Sequence, residues 1–405
     1  MGRGIMKRFA LLPILLLLVI HESKPLEYGQ TVQDSQVDYW LAQLTIEEKI
    51  GQLLMLRLPW RATTANRGVR ELLEAVPAGG IILFGDNVVS IPQVQALTEE
   101  LQGLARLPLF IAADEEGGRV SRVGRLFVMP SPPAFSLGVQ GDPAATYYAA
   151  RIIGQRLTLL GLNMNLAPVA DIWSNPRNSV IGNRAFGREP QVVGDMVEAA
   201  TQGLAAEGVM SVVKHFPGHG DTYEDSHYWL AFFRHGRERF DQMEALPFVR
   251  GIRAGADGVM IGHIATPSFE GSRPLLDWME PWIESGSLPA TFSDFWLQDI
   301  LRGEMGFDGL IITDALEMRA LTNHFTCAQI ALGAFLAGSD ILLMPANPVA
   351  AFQALLDGFH AGVFDEQRLH QSLRRIFRTK AAIGLDLGEE SATPHLRDCA
   401  DEVLP

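Results

Sequence analysis

The sequence has little of what marks several large classes of protein. Among its 405 residues are only two cysteines, Cys327 and Cys399, which excludes a disulfide framework and a cysteine-based zinc cluster. Its formal net charge is −14, and its one Lys/Arg cluster, over residues 374–380, is typical of the solvated face of a last helix. Because nucleic-acid binders carry basic patches, this balance excludes that class of partner. The apolar content of 47% is ordinary for a globular protein with a substantial core.

One apolar run stands apart, near the N-terminus. Three basic residues precede the run over residues 9–20, which is too short to span a bilayer comfortably and has the length of a signal-peptide core. No small-x-small cleavage site follows it, and no cysteine for lipid attachment. Residues 1–30 therefore predict export to the cell envelope or the medium, as a cleaved signal peptide or as an uncleaved anchor that tethers the protein to the membrane. The alternative is a mistaken start codon upstream of a cytoplasmic enzyme.

The rest of the chain alternates between short apolar runs and longer amphipathic stretches. Eight runs predict strands: Ile50–Leu56 (helical at its start in one interpretation), Gly80–Phe84, Leu109–Ala113, Met164–Val169, Ser211–His215, Gly258–Gly262, Gly309–Thr313 and Asp340–Met344. Apolar strands that alternate with helices indicate parallel β/α units, and eight of them over about three hundred residues predict a (β/α)8 TIM barrel. A doubly wound open sheet is the alternative, but no glycine-rich phosphate turn follows the first strand.

Polar residues cluster where these strands end. Asp114 follows the third strand, residues 165–171 surround the end of the fourth, residues 214–219 the end of the fifth, His263 follows the sixth and Asp314 the seventh. Because the active sites of TIM barrels lie at the carboxyl ends of the strands, this placement predicts an enzyme.

The stretch over residues 214–227, KHFPGHGDTYEDSH, is the densest in chemically active side chains. Lys214 and His215 end the fifth strand, and the proline and glycines that follow predict an irregular loop. Asp225 and His227 lie two residues apart, so in an extended segment the carboxylate reaches the imidazole. Such a carboxylate fixes the tautomer of the ring and raises its basicity. A polar turn capped by an aspartate is the alternative interpretation.

A metal site is a further alternative for this stretch. Four of its side chains are of metal-ligand types, namely His215, His219, Asp221 and His227. A proline and a glycine between the first two histidines break the helix that an H-x3-H site requires. We therefore expect neither a metal nor a cofactor.

Two other stretches carry carboxylates to strand ends. Asp314 follows the apolar run of the seventh strand, although Asp314 and Glu317 would also fit the capping pair of a helix. Residues 114–122, DEEGGRVSR, place three acids and two arginines after the third strand. A carboxylate there can bridge two sugar hydroxyls, and an arginine can hold a carbonyl or anionic group. A surface loop of salt bridges is the alternative.

Taken together, the motifs resemble glycoside hydrolase family 3, and within it the single-domain β-N-acetylglucosaminidase branch. The resemblance covers residues 40–385 and rests on six stretches in order: LTIEEKIGQL at 44–53, DEEGGRVSR at 114–122, NLAPVADI at 165–172, IGNRAFG at 181–187, KHFPGHGDTYEDSH at 214–227 and GFDGLIITDALEM at 306–318. Two departures are Glu115, where glutamine or histidine is common, and Ala231, where a proline often follows the loop. Neither touches a catalytic position.

The resemblance implies a catalytic barrel over residues 35–385, followed by a tail over residues 386–405. It implies a retaining exo-β-N-acetylhexosaminidase that removes terminal non-reducing N-acetylglucosamine, with peptidoglycan fragments (muropeptides) or other N-acetylglucosamine oligosaccharides as substrates. Asp314 would be the nucleophile, His227 the acid/base and Asp225 its orienting carboxylate. The implied sugar-binding residues are Asp114, Arg122, Arg184, Lys214 and His215.

Three alternatives to this function stay open. A broad β-glycosidase and a glycoside phosphorylase belong to the same family, and a histidine donor repels incoming phosphate less than a carboxylate would. A non-catalytic carbohydrate-binding barrel would be expected to lack Asp314 or His227, and both are present.

Overall fold

The computed structural model describes residues 37–269 and 271–385, and its centre is a sheet of eight parallel strands. The strands occur in the order β7-β6-β5-β4-β3-β2-β1-β8, and a parallel bridge between Ile312 and Ile341 joins the two ends of this order. The predicted TIM barrel is therefore confirmed. The strands are β1 (Leu54–Arg57), β2 (Gly80–Leu83), β3 (Phe110–Ala113), β4 (Met164–Asn165), β5 (Met210–Phe216), β6 (Gly258–Ile261), β7 (Leu310–Thr313) and β8 (Leu342–Leu343).

Helices separate the strands, and their starts follow simple rules. A capping box of Thr45 and Glu48 begins helix Ile46–Gly51, and prolines occupy the first turn of several other helices, where an amide hydrogen has no partner in the helix. The longer helices are Ile46–Gly51, Arg67–Ala75, Ile91–Leu104, Ala134–Gln140, Pro143–Leu159, Pro190–Ala205, Ala245–Arg253, Phe295–Glu304, Cys327–Ala337, Pro348–His360 and Glu366–Ala382; short helices span Glu280–Glu284 and Arg319–Thr322.

The hydrophobic core is continuous between the strands and the surrounding helices. All four residues of β2, β3, β6 and β7 are buried, because helices cover the outside of the barrel and side chains fill its inside. This burial on both faces explains why the strands are uniformly apolar in sequence.

Two predicted strands, the first and the fourth, differ most from the structure, whereas the other six differ by no more than two residues at either end. Ile50 belongs to helix Ile46–Gly51, so β1 begins only at Leu54; the apolar run is continuous there and does not mark the boundary. The fourth strand is cut to Met164–Asn165, because Pro168 has no amide hydrogen for the ladder. Val169 still pairs with Lys214 through an isolated bridge.

Some predictions concern residues outside the described ranges. They are the leader over residues 1–30, the domain start at residue 35, and the tail from residue 386, which contains Cys399. Within residues 37–269 and 271–385, no helix has both the length and the apolarity needed to cross a bilayer.

Candidate active site

A cleft with about 850 Å³ of empty space, which includes its mouth open to solvent, lies at the carboxyl ends of the barrel strands. It is lined by seven of the eight side chains predicted from the sequence: Asp114, Arg122, Arg184, Lys214, His215, His227 and Asp314. The eighth, Asp225, contacts His227. Residues up to 200 positions apart in sequence therefore face one space of a size that suits a small ligand.

Asp314 lies directly after β7, and its carboxylate is charged at neutral pH. Burial raises its pKa, but the imidazoles of His215 and His263 and a hydrogen bond from the Ala315 amide outweigh this and lower the pKa to about 2. The Ala315 amide donates to Oδ1 of Asp314 over 2.7 Å. Such an ionised carboxylate can act as a nucleophile or stabilise a positive charge.

The helix-capping alternative for Asp314 does not hold. The next helix begins only at Arg319, and the residue before it is Met318. Glu317, the other member of the supposed pair, forms an ion pair with Arg57 over 3.3 Å. The carboxylate of Asp314 is therefore not used to cap a helix.

His263 holds the backbone beside Asp314, a role that the sequence analysis did not assign to it. Its Nε2 lies 3.0 Å from the carbonyl oxygen of Ala315, which can only accept, so Nε2 donates. Its Nδ1 then accepts from the Thr291 hydroxyl over 2.7 Å. Burial lowers the pKa of His263, which favours this neutral tautomer. The only signal in the sequence was its place at the end of the sixth strand.

Lys214 and Arg184 form a buried charge network with two carboxylates. The Nζ of Lys214 donates to Asp114 Oδ1 and also lies 2.6 Å from Glu116 Oε1. Arg184 grips Glu116 with two hydrogen bonds of 2.8 Å. Burial lowers the pKa of Lys214, but the carboxylates of Asp114 and Glu116 overcompensate and raise it, so the ammonium group is charged at neutral pH. More weakly, Arg122 approaches Asp114 to 3.7 Å.

Glu116 is a second residue that the sequence reasoning missed. Burial raises its pKa, but Lys214 and Arg184 hold the pKa well below its usual range. Its side chain is only 3% exposed, which rules out the alternative of a surface loop of salt bridges. Three acids are adjacent in the sequence, at residues 114–116, and the sequence does not indicate which of them contacts Lys214 and Arg184.

Glu115 stabilises the loop that follows the third strand. Its Oε2 accepts from the amides of Val123 and Gly124 over 2.8 and 3.2 Å, and its Oε1 accepts from the Ser121 hydroxyl. These bonds close the short hairpin of Glu115–Gly117 and Val120–Ser121. Glu115, one of the two departures from the family pattern, therefore stabilises the loop that carries Asp114 and does not line the cavity.

Asp171 orients His215 and is a third missed residue. Nδ1 of His215 lies 2.6 Å from Asp171 Oδ2, and Nε2 lies 3.3 Å from a guanidinium nitrogen of Arg184. Because the guanidinium can only donate, Nε2 is the acceptor and Nδ1–H donates to the carboxylate. Burial raises the pKa of Asp171, but His215 reverses the shift and lowers it.

The loop over residues 221–230 carries the predicted acid/base pair. Nδ1 of His227 lies 2.7 Å from Asp225 Oδ1, which also accepts from the His227 amide over 2.9 Å. The contact expected from the two-residue spacing is thus present, but the segment is a turn capped by Asp225 and not extended, because the Asp225 carbonyl accepts from the amides of Tyr228 and Trp229 over 2.9 Å. The ring of His227 remains 61% exposed, although it lines the cavity.

The buried side chain of His219 stabilises this loop through contacts with two of its hydroxyl groups. Its Nε2 lies 2.9 Å from the Ser226 hydroxyl, next to His227, and its Nδ1 lies 2.6 Å from the Thr222 hydroxyl. Burial lowers the pKa of His219 to about 4, so the ring is neutral at neutral pH. At the start of the loop, Asp221 accepts from Ser174 over 2.9 Å and contacts His235 Nε2 over 2.7 Å.

The four residues of the metal alternative do not converge on one point. Each has its own partner: His215 has Asp171, His219 has Ser226 and Thr222, Asp221 has Ser174 and His235, and His227 has Asp225. In the part of the chain that the structure describes, no three His, Cys, Asp or Glu side chains are arranged to hold a metal ion.

Comparison with known proteins shows the same resemblance over most of the chain. Residues 45–379 match the family described as "Glycosyl hydrolase family 3 N terminal domain". Beta-hexosaminidase A of Pseudoalteromonas piscicida is 36% identical, over 84% of this chain and 62% of that protein. The beta-hexosaminidase of Nitrosomonas eutropha is 36% identical, over 74% of this chain and 83% of that protein.

A solved structure agrees with these relatives. The glycoside hydrolase family 3 beta-N-acetylglucosaminidase from Paenibacillus sp. str. FPU-7 is 38% identical and superposes with a TM-score of 0.78, over 88% of this chain and 65% of that one. The chain thus spans less than two thirds of this protein and of the Pseudoalteromonas relative. With its barrel, its strand-end motifs and these matches in agreement, the chain belongs to glycoside hydrolase family 3.

Proposed function

We propose that the protein is a retaining exo-β-N-acetylhexosaminidase that releases terminal N-acetylglucosamine from β-glycosides, with peptidoglycan fragments as its substrates. The observation that carries this proposal is a single cavity lined by an ionised carboxylate, Asp314, and by His227, whose partner is a carboxylate. The names of the relatives support N-acetylglucosamine as the sugar that is cleaved.

Asp314 is proposed to attack the anomeric carbon. A nucleophile must be unprotonated, and a pKa of about 2 keeps this carboxylate charged at any physiological pH. The new C–O bond to Asp314 forms as the bond to the leaving oxygen breaks, which inverts the anomeric carbon once. Water then displaces Asp314 with a second inversion, so the β-configuration is retained.

His227 is proposed to carry the proton in both steps. Its Nδ1 is held by Asp225, so Nε2 is the nitrogen that can protonate the leaving oxygen and later deprotonate water. The surrounding loop supports the role, because Asp225 and the His219–Ser226 contact restrict the position of the ring.

The charged network is proposed to bind the hydroxyl groups of the terminal sugar. Lys214, Arg184, Asp114 and His215 have fixed partners before any ligand arrives, so little reorganisation is needed on binding. Arg122 stacks on the Phe84 ring, with 5.1 Å to its centroid, and extends the same wall of the cavity.

Paired chromogenic substrates test the proposal. We expect 4-nitrophenyl β-N-acetylglucosaminide to be hydrolysed far better than the β-glucoside, by a factor of up to ~10⁴, because a site built for a polar contact rejects an analogue that lacks it. The first-formed sugar should be the β-anomer by NMR. Equal rates on both sugars would favour the broad glycosidase, and sugar 1-phosphate formed on addition of phosphate would favour the phosphorylase.

Export is a further part of the proposal, and it is supported by the basic and then apolar leader over residues 1–30. Cell fractionation should place the activity in the envelope or the medium. Activity confined to the cytosol would contradict it.

A further inference from the structure

We propose that His263 is a positioning residue for the nucleophile, and that it acts through the backbone of the residue that follows Asp314. The inference rests on the proposed function and deepens it. It assigns the accuracy of the nucleophilic attack to a fully buried side chain that supplies neither the attacking carboxylate nor the proton.

The segment after β7 is held by one backbone bond at each of its first three residues. The amide of Asp314 donates to β6 and the amide of Leu316 donates to β8, each over 2.9 Å. These two bonds join backbone to backbone, so no side-chain substitution removes them directly. Between them, the carbonyl of Ala315 accepts from Nε2 of His263 over 3.0 Å. The middle restraint is therefore the one that a side chain supplies.

The residue that His263 restrains also holds the carboxylate of the nucleophile. The amide of Ala315 donates to Oδ1 of Asp314 over 2.7 Å. Because only two soft dihedral angles separate the amide of a residue from its carbonyl, an anchored carbonyl limits the direction in which the amide points. Within residues 37–269 and 271–385, Oδ2 accepts no hydrogen bond, so Oδ2 is the oxygen left to attack the anomeric carbon.

Thr291 determines which nitrogen of His263 carries the hydrogen. A carbonyl oxygen can only accept, so Nε2 is protonated, and the neutral ring then has a lone pair at Nδ1. The Thr291 hydroxyl donates to this lone pair over 2.7 Å. Both side chains are fully buried, so bulk solvent does not compete for these bonds. Thr291 thus favours the tautomer of His263 that holds Ala315.

This arrangement has a kinetic consequence that differs from the role of His227. Asp314 is the attacking group in the first chemical step and the leaving group in the second, so a misplaced carboxylate slows both. A displacement of about 1 Å in a reacting group costs on the order of a hundredfold in rate. The loss should be the same for every aglycone, because the position of the nucleophile does not depend on the group that leaves.

The test uses two amide variants that differ in reach. Glutamine places its amide nitrogen about where Nε2 of His263 lies, whereas asparagine reaches only as far as Nδ1. His263→Gln should keep kcat/KM within about fivefold of the parent, and His263→Asn should lower it about a hundredfold. The factor should be equal for 4-nitrophenyl β-N-acetylglucosaminide and for diacetylchitobiose, since kcat/KM reports the steps up to glycosylation. Inhibition by N-acetylglucosamine should change by no more than about twofold, because ground-state binding is retained.

A pair of threonine variants supplies the matched control. Thr291→Val should lower kcat/KM about fivefold, the effect of one lost hydrogen bond. Thr201→Val removes the hydroxyl of another fully buried threonine, on helix Pro190–Ala205, that has no partner among the described residues, and it should behave as the parent. If His263→Asn does not fold, this pair decides the matter alone.

Equal kcat/KM for His263→Gln and His263→Asn, a loss confined to one of the two substrates, or equal kcat/KM for the two threonine variants would overturn the positioning role. A parent protein that fails to cleave any β-N-acetylglucosaminide would instead overturn the proposed function, so the two failures are distinguishable.

Discussion

Removing the ring of His227 separates its chemical role from its structural one. The ring is 61% exposed, and among the described residues its one side-chain partner is Asp225. The His227 carbonyl, which accepts from the Arg319 amide, survives substitution. His227→Ala should therefore change the free energy of unfolding by no more than about 0.5 kcal/mol. Any large loss of activity is then a loss of proton transfer.

The size of that loss should depend on the leaving group. General acid/base catalysis contributes ~10²–10⁴, so His227→Ala should lose this factor on a disaccharide, whose leaving oxygen needs a proton. A 4-nitrophenyl group departs unaided, so its glycosylation step should stay fast and the variant should stall at deglycosylation. Asp225→Asn should lose less, about fivefold, because an ion pair this exposed contributes about 1 kcal/mol at most.

The assay is steady-state and burst kinetics on both substrates, with and without azide. Azide needs no general base, so it should restore turnover of His227→Ala on the aryl substrate and give the β-glycosyl azide. Tyr223→Ala, which removes an exposed ring from the same loop, is the control for general disturbance of the loop. An α-azide, or equal losses on the two substrates, would refute the assignment of His227 as the proton carrier.

Three further predictions concern buried groups. Glu116→Gln leaves Lys214 and Arg184 with one carboxylate fewer and should cost about 3 kcal/mol of stability in urea denaturation; an unchanged midpoint would show that cavity water replaces the carboxylate. His219→Gln should release Ser226 and lower kcat on a disaccharide about tenfold through misplacement of the acid/base loop, and a change in KM alone would contradict this. Burial lowers the pKa of Lys380 from 10.5 to about 7, so the unfolded chain binds more protons between these values and stability should rise with pH across them. Lys380→Met should flatten that rise in urea denaturation, and an unchanged slope would contradict the shift.

The sequence alone determined the architecture, because the signals for it are local. Apolar runs and capping residues place strands and helices, and a residue that follows a parallel strand must lie at its carboxyl end. Asp314 is assigned to the mouth of the barrel on this basis. The Asp225–His227 contact was also predicted from the sequence, but the structure makes it in a turn capped by Asp225 and not in the extended segment that was expected.

Only the tertiary structure decided which side chains pair across the barrel. Lys214 meets Asp114 across 100 positions of sequence, and Glu116 rather than Glu115 faces the cations because a hairpin turns Glu115 inward to bind backbone amides. Two other contacts depend on the fold in the same way. Asp171 binds the ring of His215, and the ring of His263 binds the backbone after Asp314. Closing the barrel brings the ends of distant strands together. The local periodicity of a sequence contains no information on which of these ends, and which of their side chains, come into contact.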